Sequence, residues 1–167
     1  MRFIMIDKLT SLQKNKSATA IKNIALSEDF FEDHFPLRPI MPGVLLIEGM
    51  AQLAGLLLSD TAKNKFSLEA RAIMTIVNQM KFRKTVFPGE QIEYRAEISQ
   101  INEFGGIVNV KTYRKNGPIN GRLLEDGVDE LIAEGSITFA FYTEKSNMQT
   151  EKVNFLLNFI AGDLINA

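Results

Sequence analysis

The chain carries one histidine, His34, and it opens the segment HFPLRPIMPG, residues 34–43. Imidazole is the side chain suited to moving protons near neutral pH. A lone histidine is also common as an ordinary surface or core residue, and that reading stands beside the catalytic one. Its setting favours chemistry. Pro36, Pro39 and Pro42 forbid regular helix and stiffen the loop, which leads directly into VLLIEGMAQLAGLLL, residues 44–58. In that apolar run only Glu48 and Gln52 are polar. Four residues apart, they share one helix face. An ionised carboxylate is costly among apolar groups, so such a site favours the protonated acid, a form able to donate a proton. The alternative is that Glu48 pairs with a buried cation or faces solvent. Gly43 stands where the helix begins, and there backbone N–H groups lack partners and the dipole is positive. Such donors polarise a carbonyl whose oxygen gains charge; alternatively Gly43 only permits the turn after Pro42. A base, an acid and an oxyanion donor together fit proton removal next to a carbonyl with expulsion of a β-hydroxyl.

The elements that must hold these groups follow from periodicity. The run after Pro42-Gly43 is rich in Leu, Ile, Met and Ala and apolar on nearly every side, which predicts a helix buried all round. It falls short of a bilayer span and carries Glu48, so it reads as a core helix. A short apolar stretch, residues 2–7, and a polar turn around residues 13–16 precede it. Residues 18–26 suggest a strand with Ala18, Ala20 and Lys22 on one face, and residues 28–32 suggest one helical turn.

Beyond the helix the period changes to two. Ile92, Tyr94, Ala96 and Ile98 alternate with Glu93, Arg95 and Glu97. Val108, Val110 and Thr112, then Ile137, Phe139 and Phe141, repeat the pattern. These are half-buried strands, and Pro88-Gly89 and Gly105-Gly106 read as turns between them. Residues 116–130 form a long polar connection. Residues 153–164 have helical spacing (Val153, Leu156, Leu157, Ile160). The predicted class is α+β, a long helix against a curved antiparallel sheet. A helix so apolar needs cover from a wrapping sheet or a partner subunit.

Bulk properties exclude several classes. At 167 residues the chain suits one domain with a real core. With 46% hydrophobic and 23% charged residues it has globular composition. A formal net charge of -1 gives no overall field to attract nucleic acid. The absence of Cys excludes disulfides and thiolate metal sites, and a single His argues against zinc; no cofactor is called for. The N-terminus is too soon charged for a signal peptide, so a cytoplasmic location and no membrane association are expected.

The stretch HFPLRPIMPGVLLIEGMAQLAG, residues 34–55, resembles the signature of bacterial (3R)-hydroxyacyl-acyl carrier protein dehydratases of the FabZ type. RFIMID near the start, AIKNI before the signature and KFRKTVFPGE after it extend the resemblance over about residues 2–143. It implies a hotdog fold, a long central helix wrapped by an antiparallel sheet, over residues 1–143, with residues 144–167 as an added extension. It also implies that His34 takes the C2 proton, that Glu48 protonates the departing hydroxyl, and that Gln52 steadies the acid. Gly43, with Val44 beside it, would bind the thioester oxygen. The related FabA-type enzymes, which also isomerise the double bond, typically carry Asp where Glu48 stands, so Glu48 favours a plain dehydratase. In this family the His and the acid of one site come from different subunits of a dimer, and many members form trimers of dimers.

The implied partner is acyl carrier protein bearing a phosphopantetheine-linked acyl chain. Lys81, Arg83 and Lys84, with Arg38, are the candidate docking cations, an ordinary solvated strand edge being the alternative. Three positions depart from the family pattern. Asp33 precedes the histidine where Gly is common, and Asp33 is expected to tune or hold His34. Leu37 follows HFP where Gly is also common. The aromatic gate of many members is matched here by aliphatic Ile73. Competing readings are a hotdog acyl thioesterase and a non-catalytic acyl-binding subunit.

Overall fold

The structure, a computed structural model, describes residues 3–115 and 129–143. Six strands form one sheet: β1 Lys8–Gln13, β2 Ser17–Asn23, β3 Arg71–Phe82, β4 Gln91–Asn102, β5 Gly105–Lys115 and β6 Glu130–Tyr142. Their spatial order is β1-β2-β4-β5-β6-β3, with every neighbouring pair antiparallel. A 3-10 turn, Asp29–Phe31, and a long helix, α1 Gly43–Phe66, the one α-helix among the described residues, lie between β2 and β3. The polar connection at 116–130 and the tail at 153–164 fall almost wholly outside the described residues.

Helix α1 forms because its residues are mostly straight-chain helix formers with few β-branched positions. It stops at Ser67, which is left-handed (φ 54), while Lys63 and Lys65 face the negative end of the dipole. Leu46, Met50, Leu53, Leu57 and Leu58 are fully buried against Ile92, Tyr94, Val108, Ile132 and Ile137 of the sheet. The alternating strands fall as their periodicity predicts, with Ile92, Tyr94, Ala96, Val108, Val110, Thr112, Ile137 and Phe139 inward.

Four sequence expectations need correction. First, α1 is not buried all round: Val44 is 70% exposed, and Ile47, Glu48, Gln52, Gly55 and Leu56 are only half-buried. One sheet covers one side of a cylinder, and the polar pair lies on the other. Second, the helix runs 24 residues. By length and composition it is long enough to cross a membrane, yet half of its most apolar window is buried inside the protein. Third, the β4–β5 turn is Glu103-Phe104, and Gly105 and Gly106 begin β5. They are glycines for closeness: a Cβ on Gly106 would stand 2.7 Å from Leu58 Cδ2, and one on Gly105 would overlap the backbone of Phe139. Fourth, β3 is a strand that its own residue pattern does not announce. It is an edge strand, and its side chains do not alternate in burial: the run from Ile73 to Gln79 is exposed throughout, with Arg71, Ala72 and Met80 half-buried.

Gly49 has a similar constraint from inside the helix. A Cβ there would overlap the ring and hydroxyl of Tyr94, which is fully buried beneath it. Gly49→Ala gains helix propensity of about 1 kcal/mol, but overpacking a rigid aromatic costs about 1–3 kcal/mol. A net loss of stability is expected, measured as a lower denaturation midpoint; Gly49→Ala at or above the parent's midpoint would show that Tyr94 yields.

Candidate active site

His34 ends the turn after the 3-10 helix, its N–H bonded to Phe30 O. The chain then doubles back: Ile40 N–H donates to His34 O at 3.0 Å, and Phe35 and Arg38 exchange backbone bonds. The His34–Phe35 peptide bond is cis. The two rings stack at a centroid distance of 4.2 Å. His34 Nδ1 lies 2.9 Å from Ile40 O. A carbonyl only accepts, so Nδ1 is the donor in this bond, and in the neutral ring Nε2 is the nitrogen with the lone pair. A half-buried imidazole with a fixed tautomer and a free Nε2 is the form a general base requires. Asp33 is exposed, and among the described residues no hydrogen bond joins it to the ring; the ring is held by the backbone of Ile40, which no sequence signal marks.

Leu37 occupies the tip of the same loop at φ 72, fully exposed. This is left-handed backbone, which a residue with a Cβ adopts at a cost of about 1–2 kcal/mol. Leu37→Gly removes that strain and loses no packing, at the expense of about 1 kcal/mol of unfolded-chain entropy. Unfolding in denaturant should therefore show equal or slightly higher stability, and a marked loss would mean that Leu37 packs against something in solution.

Glu48 and Gln52 meet on the open face of α1. Gln52 Nε2 donates to Glu48 Oε1 at 2.8 Å and to Phe3 O at 2.8 Å, while Gln52 Oε1 accepts Met5 N–H at 2.9 Å. The N-terminal segment thus fixes the amide, and the amide fixes the carboxyl. Oε1 accepts that bond, while Oε2 has no hydrogen-bond partner among the described residues.

Gly43 and Val44 open α1, and among the described residues neither backbone N–H is bonded to an acceptor; the first helix donor so paired is Leu45, to Pro42 O at 3.0 Å. The Phe82 ring lies over Gly43, where a Cβ would come within 3.1 Å. Any larger residue would move that ring or close the approach to the free donors. The structure does not join His34 to Glu48: no hydrogen bond or ion pair connects them within the chain. The candidate docking cations are divided. Arg83 binds Glu134 through Nε and Nη2, and Lys84 Nζ lies 3.4 Å from Glu130. Glu134 is held below the usual carboxylate range, chiefly by Arg83. Lys81 and Arg38 are exposed. Ile73 lies within β3 opposite Ala140, with its side chain exposed.

A family model described as a FabA-like domain matches residues 1–123. The chain belongs to the FabA-like family. Its FabA-like relatives include a 3-hydroxyacyl-[acyl-carrier-protein] dehydratase FabZ of Geotalea uraniireducens, 37% identical over 138 residues, or 83% of this chain and 87% of the relative. The protein of the same name from Thiobacillus denitrificans is 40% identical over 78% of this chain and 86% of its own length. Among solved structures the chain is similar to the dehydratase heterocomplex ApeI:P from Xenorhabdus doucetiae, with a TM-score of 0.62 and 11% identity over 92% of this chain and 90% of that one. It is also similar to smu.793 from Streptococcus mutans bound to acetyl CoA, with a TM-score of 0.58 and 11% identity over 83% and 90%. At such identities these two share the fold, the hotdog arrangement of one helix against an antiparallel sheet.

Proposed function

We propose that this FabA-like chain removes water from a (3R)-3-hydroxyacyl thioester on acyl carrier protein, giving the trans-2-enoyl thioester, in fatty acid biosynthesis in the cytoplasm. The observation that carries this is the extended similarity to 3-hydroxyacyl-[acyl-carrier-protein] dehydratases, over 83% of the chain at 37% identity. The local geometry agrees with the chemistry. His34 Nε2 takes a proton from C2. Gly43 and Val44 N–H groups receive the thioester oxygen as it gains charge. Glu48 Oε2 gives its proton to the C3 hydroxyl, which leaves as water. The imidazolium and the carboxylate left behind return to their starting forms by net transfer of one proton, so no cofactor is consumed.

The site is completed by a second copy of the chain. β3 is an edge strand whose Ile73, Met74, Ile76 and Val77 are all exposed in one protomer. An apolar strand edge of this kind is avoided in monomers, and pairing it to a second β3 in a homodimer would cover it and the adjacent open face of α1. Trimers of dimers build on the same unit. Carrier-protein docking falls to Lys81 and Arg38, with Arg83 and Lys84 partly neutralised by Glu134 and Glu130; such contacts mainly speed encounter and weaken with salt.

The test is direct incubation with 3-hydroxyacyl-acyl carrier protein. Appearance of the conjugated enoyl thioester with the carrier still acylated supports the proposal. Release of free carrier thiol without an enoyl product would overturn it in favour of thioester hydrolysis.

A further inference from the structure

Dehydration as derived from His34, Glu48 and the α1 N-terminus makes no use of the most deeply buried cation among the described residues. Arg114, at the end of β5, is only 2% exposed. Its Nη1 binds Glu130 of β6, and its Nε lies 3.0 Å from Glu90 Oε1 as an ion pair without hydrogen-bond alignment. Its remaining terminal nitrogen, Nη2, donates to the backbone carbonyl of Thr85 at 2.6 Å. Burying a guanidinium is costly unless its donors are paired. Here the two carboxylates offset the charge, and the third contact is spent on a loop.

That loop, residues 83–90, joins β3 to β4. One residue beyond the anchored carbonyl, Val86 is fully buried, and Val86 O accepts the N–H of Met41 at 2.8 Å. Met41 is buried too, and it directly follows Ile40, whose carbonyl takes the Nδ1 proton of His34. Two short backbone steps therefore separate the guanidinium from the group that sets the imidazole tautomer. Glu90 reinforces the frame: its Oε2 accepts Phe87 N–H at 3.0 Å, and its own carbonyl accepts Ile24 N–H at 2.9 Å.

We infer that Arg114 is a positioning residue for His34, acting through the Thr85–Val86 backbone and the Met41–Ile40 backbone to hold the imidazole with Nδ1 protonated and Nε2 open. Its effect on turnover rests on His34 being the base; its effect on the ring does not.

His34 is the only histidine in the chain, so two ring-nitrogen signals in a spectrum of the 15N-histidine-labelled protein report it alone. In the parent protein at alkaline pH, Nδ1 is expected to appear protonated and Nε2 unprotonated. In Arg114→Met both shifts should move toward those of a free, tautomerising imidazole. On 3-hydroxyacyl-acyl carrier protein, kcat should fall about tenfold to a hundredfold, as for a misplaced catalytic group, with KM changed less. Removing the cation alone leaves Glu90 without its cation and Glu130 with Lys84 alone. The triple variant Arg114→Met, Glu90→Gln, Glu130→Gln relieves that repulsion and still lacks the contact to Thr85, so it should fold and show the same change in the ring. Arg95→Met is the control. It breaks another ion cluster on the same sheet, with Glu93 and Asp129, but has no contact with residues 83–90 and should leave the imidazole signals in place. Ring signals unchanged from the parent in either folded Arg114 variant would overturn the inference. An absence of dehydration by the parent protein would instead strike the proposed function and leave the spectroscopic result to stand by itself.

Discussion

Replacing His34 by alanine is expected to reduce dehydration by about 10²–10⁴-fold, the range that a positioned general base contributes. The chain has no second imidazole to take over. The loss should be chemical rather than structural. The ring is half-buried and donates one hydrogen bond, to Ile40 O. Such a bond contributes about 1 kcal/mol, or about 2–4 °C in the unfolding midpoint of a chain this size. His34→Asn separates the two effects further. Its amide nitrogen can stand where Nδ1–H stands and keep the bond to Ile40, yet it places nothing at the Nε2 position. It should be as inactive as the alanine variant and closer to the parent in stability. Steady-state turnover on 3-hydroxyacyl-acyl carrier protein, set beside calorimetry, checks both. Undiminished turnover in either variant would remove His34 from the mechanism.

How much of this is legible in the sequence depends on what each residue reports. The inward faces of β4, β5 and β6 can be read from alternation, because a half-buried strand writes its burial into every second residue. The same alternation carries a further signal. Ala18, Ala20 and Lys22 lie on one inward face, and Lys22 is 7% exposed, paired with Asp7 and Glu28. Burial lowers its proton affinity, but hydrogen bonds to Glu28 and Asp7 more than offset this, so the net shift is upward. Likewise Val108, Val110 and Thr112 are followed in step by Arg114, so a charge in an inward register is itself the sequence mark of a buried ion pair. β3 is illegible for the opposite reason. Its apolar residues do not alternate with its polar ones, as Ala72-Ile73-Met74 and Ile76-Val77 show, and a strand exposed on both faces in one protomer has no two-residue period to show. The tie between His34 and Ile40 is also hidden, since a backbone carbonyl has the same sequence signature at every position. Leu37 shows that a departure from the family pattern can be read as backbone geometry: the position requires positive φ, which Gly meets without strain.

Glu48→Gln is expected to match the histidine variants in loss of rate, about 10²–10⁴-fold, for a different reason. The glutamine oxygen can still accept from Gln52 Nε2 as Glu48 Oε1 does, so the clamp to Phe3 and Met5 survives. What disappears is the acid proton at the Oε2 position. No cation is bonded to Glu48 among the described residues, so its neutralisation strands no partner, and stability should hold or rise. The sharper result comes from mixing this variant with His34→Ala. Within one chain no hydrogen bond or ion pair joins the two side chains, and Gly55, on the open face of α1, lies beside Ala72 of the edge strand β3. In a two-fold dimer whose sites each take His34 from one subunit and Glu48 from the other, a mixed dimer holds one site with both native groups and one with neither. Equal amounts, exchanged at random, make half the dimers mixed, so activity should recover to about a quarter of the parent's. Mass spectrometry of differently tagged subunits confirms that exchange has occurred. If mixed dimers form and turnover stays at the level of the single variants, each site is assembled within one chain, and the loop bearing His34 must then swing toward its own helix before water can leave.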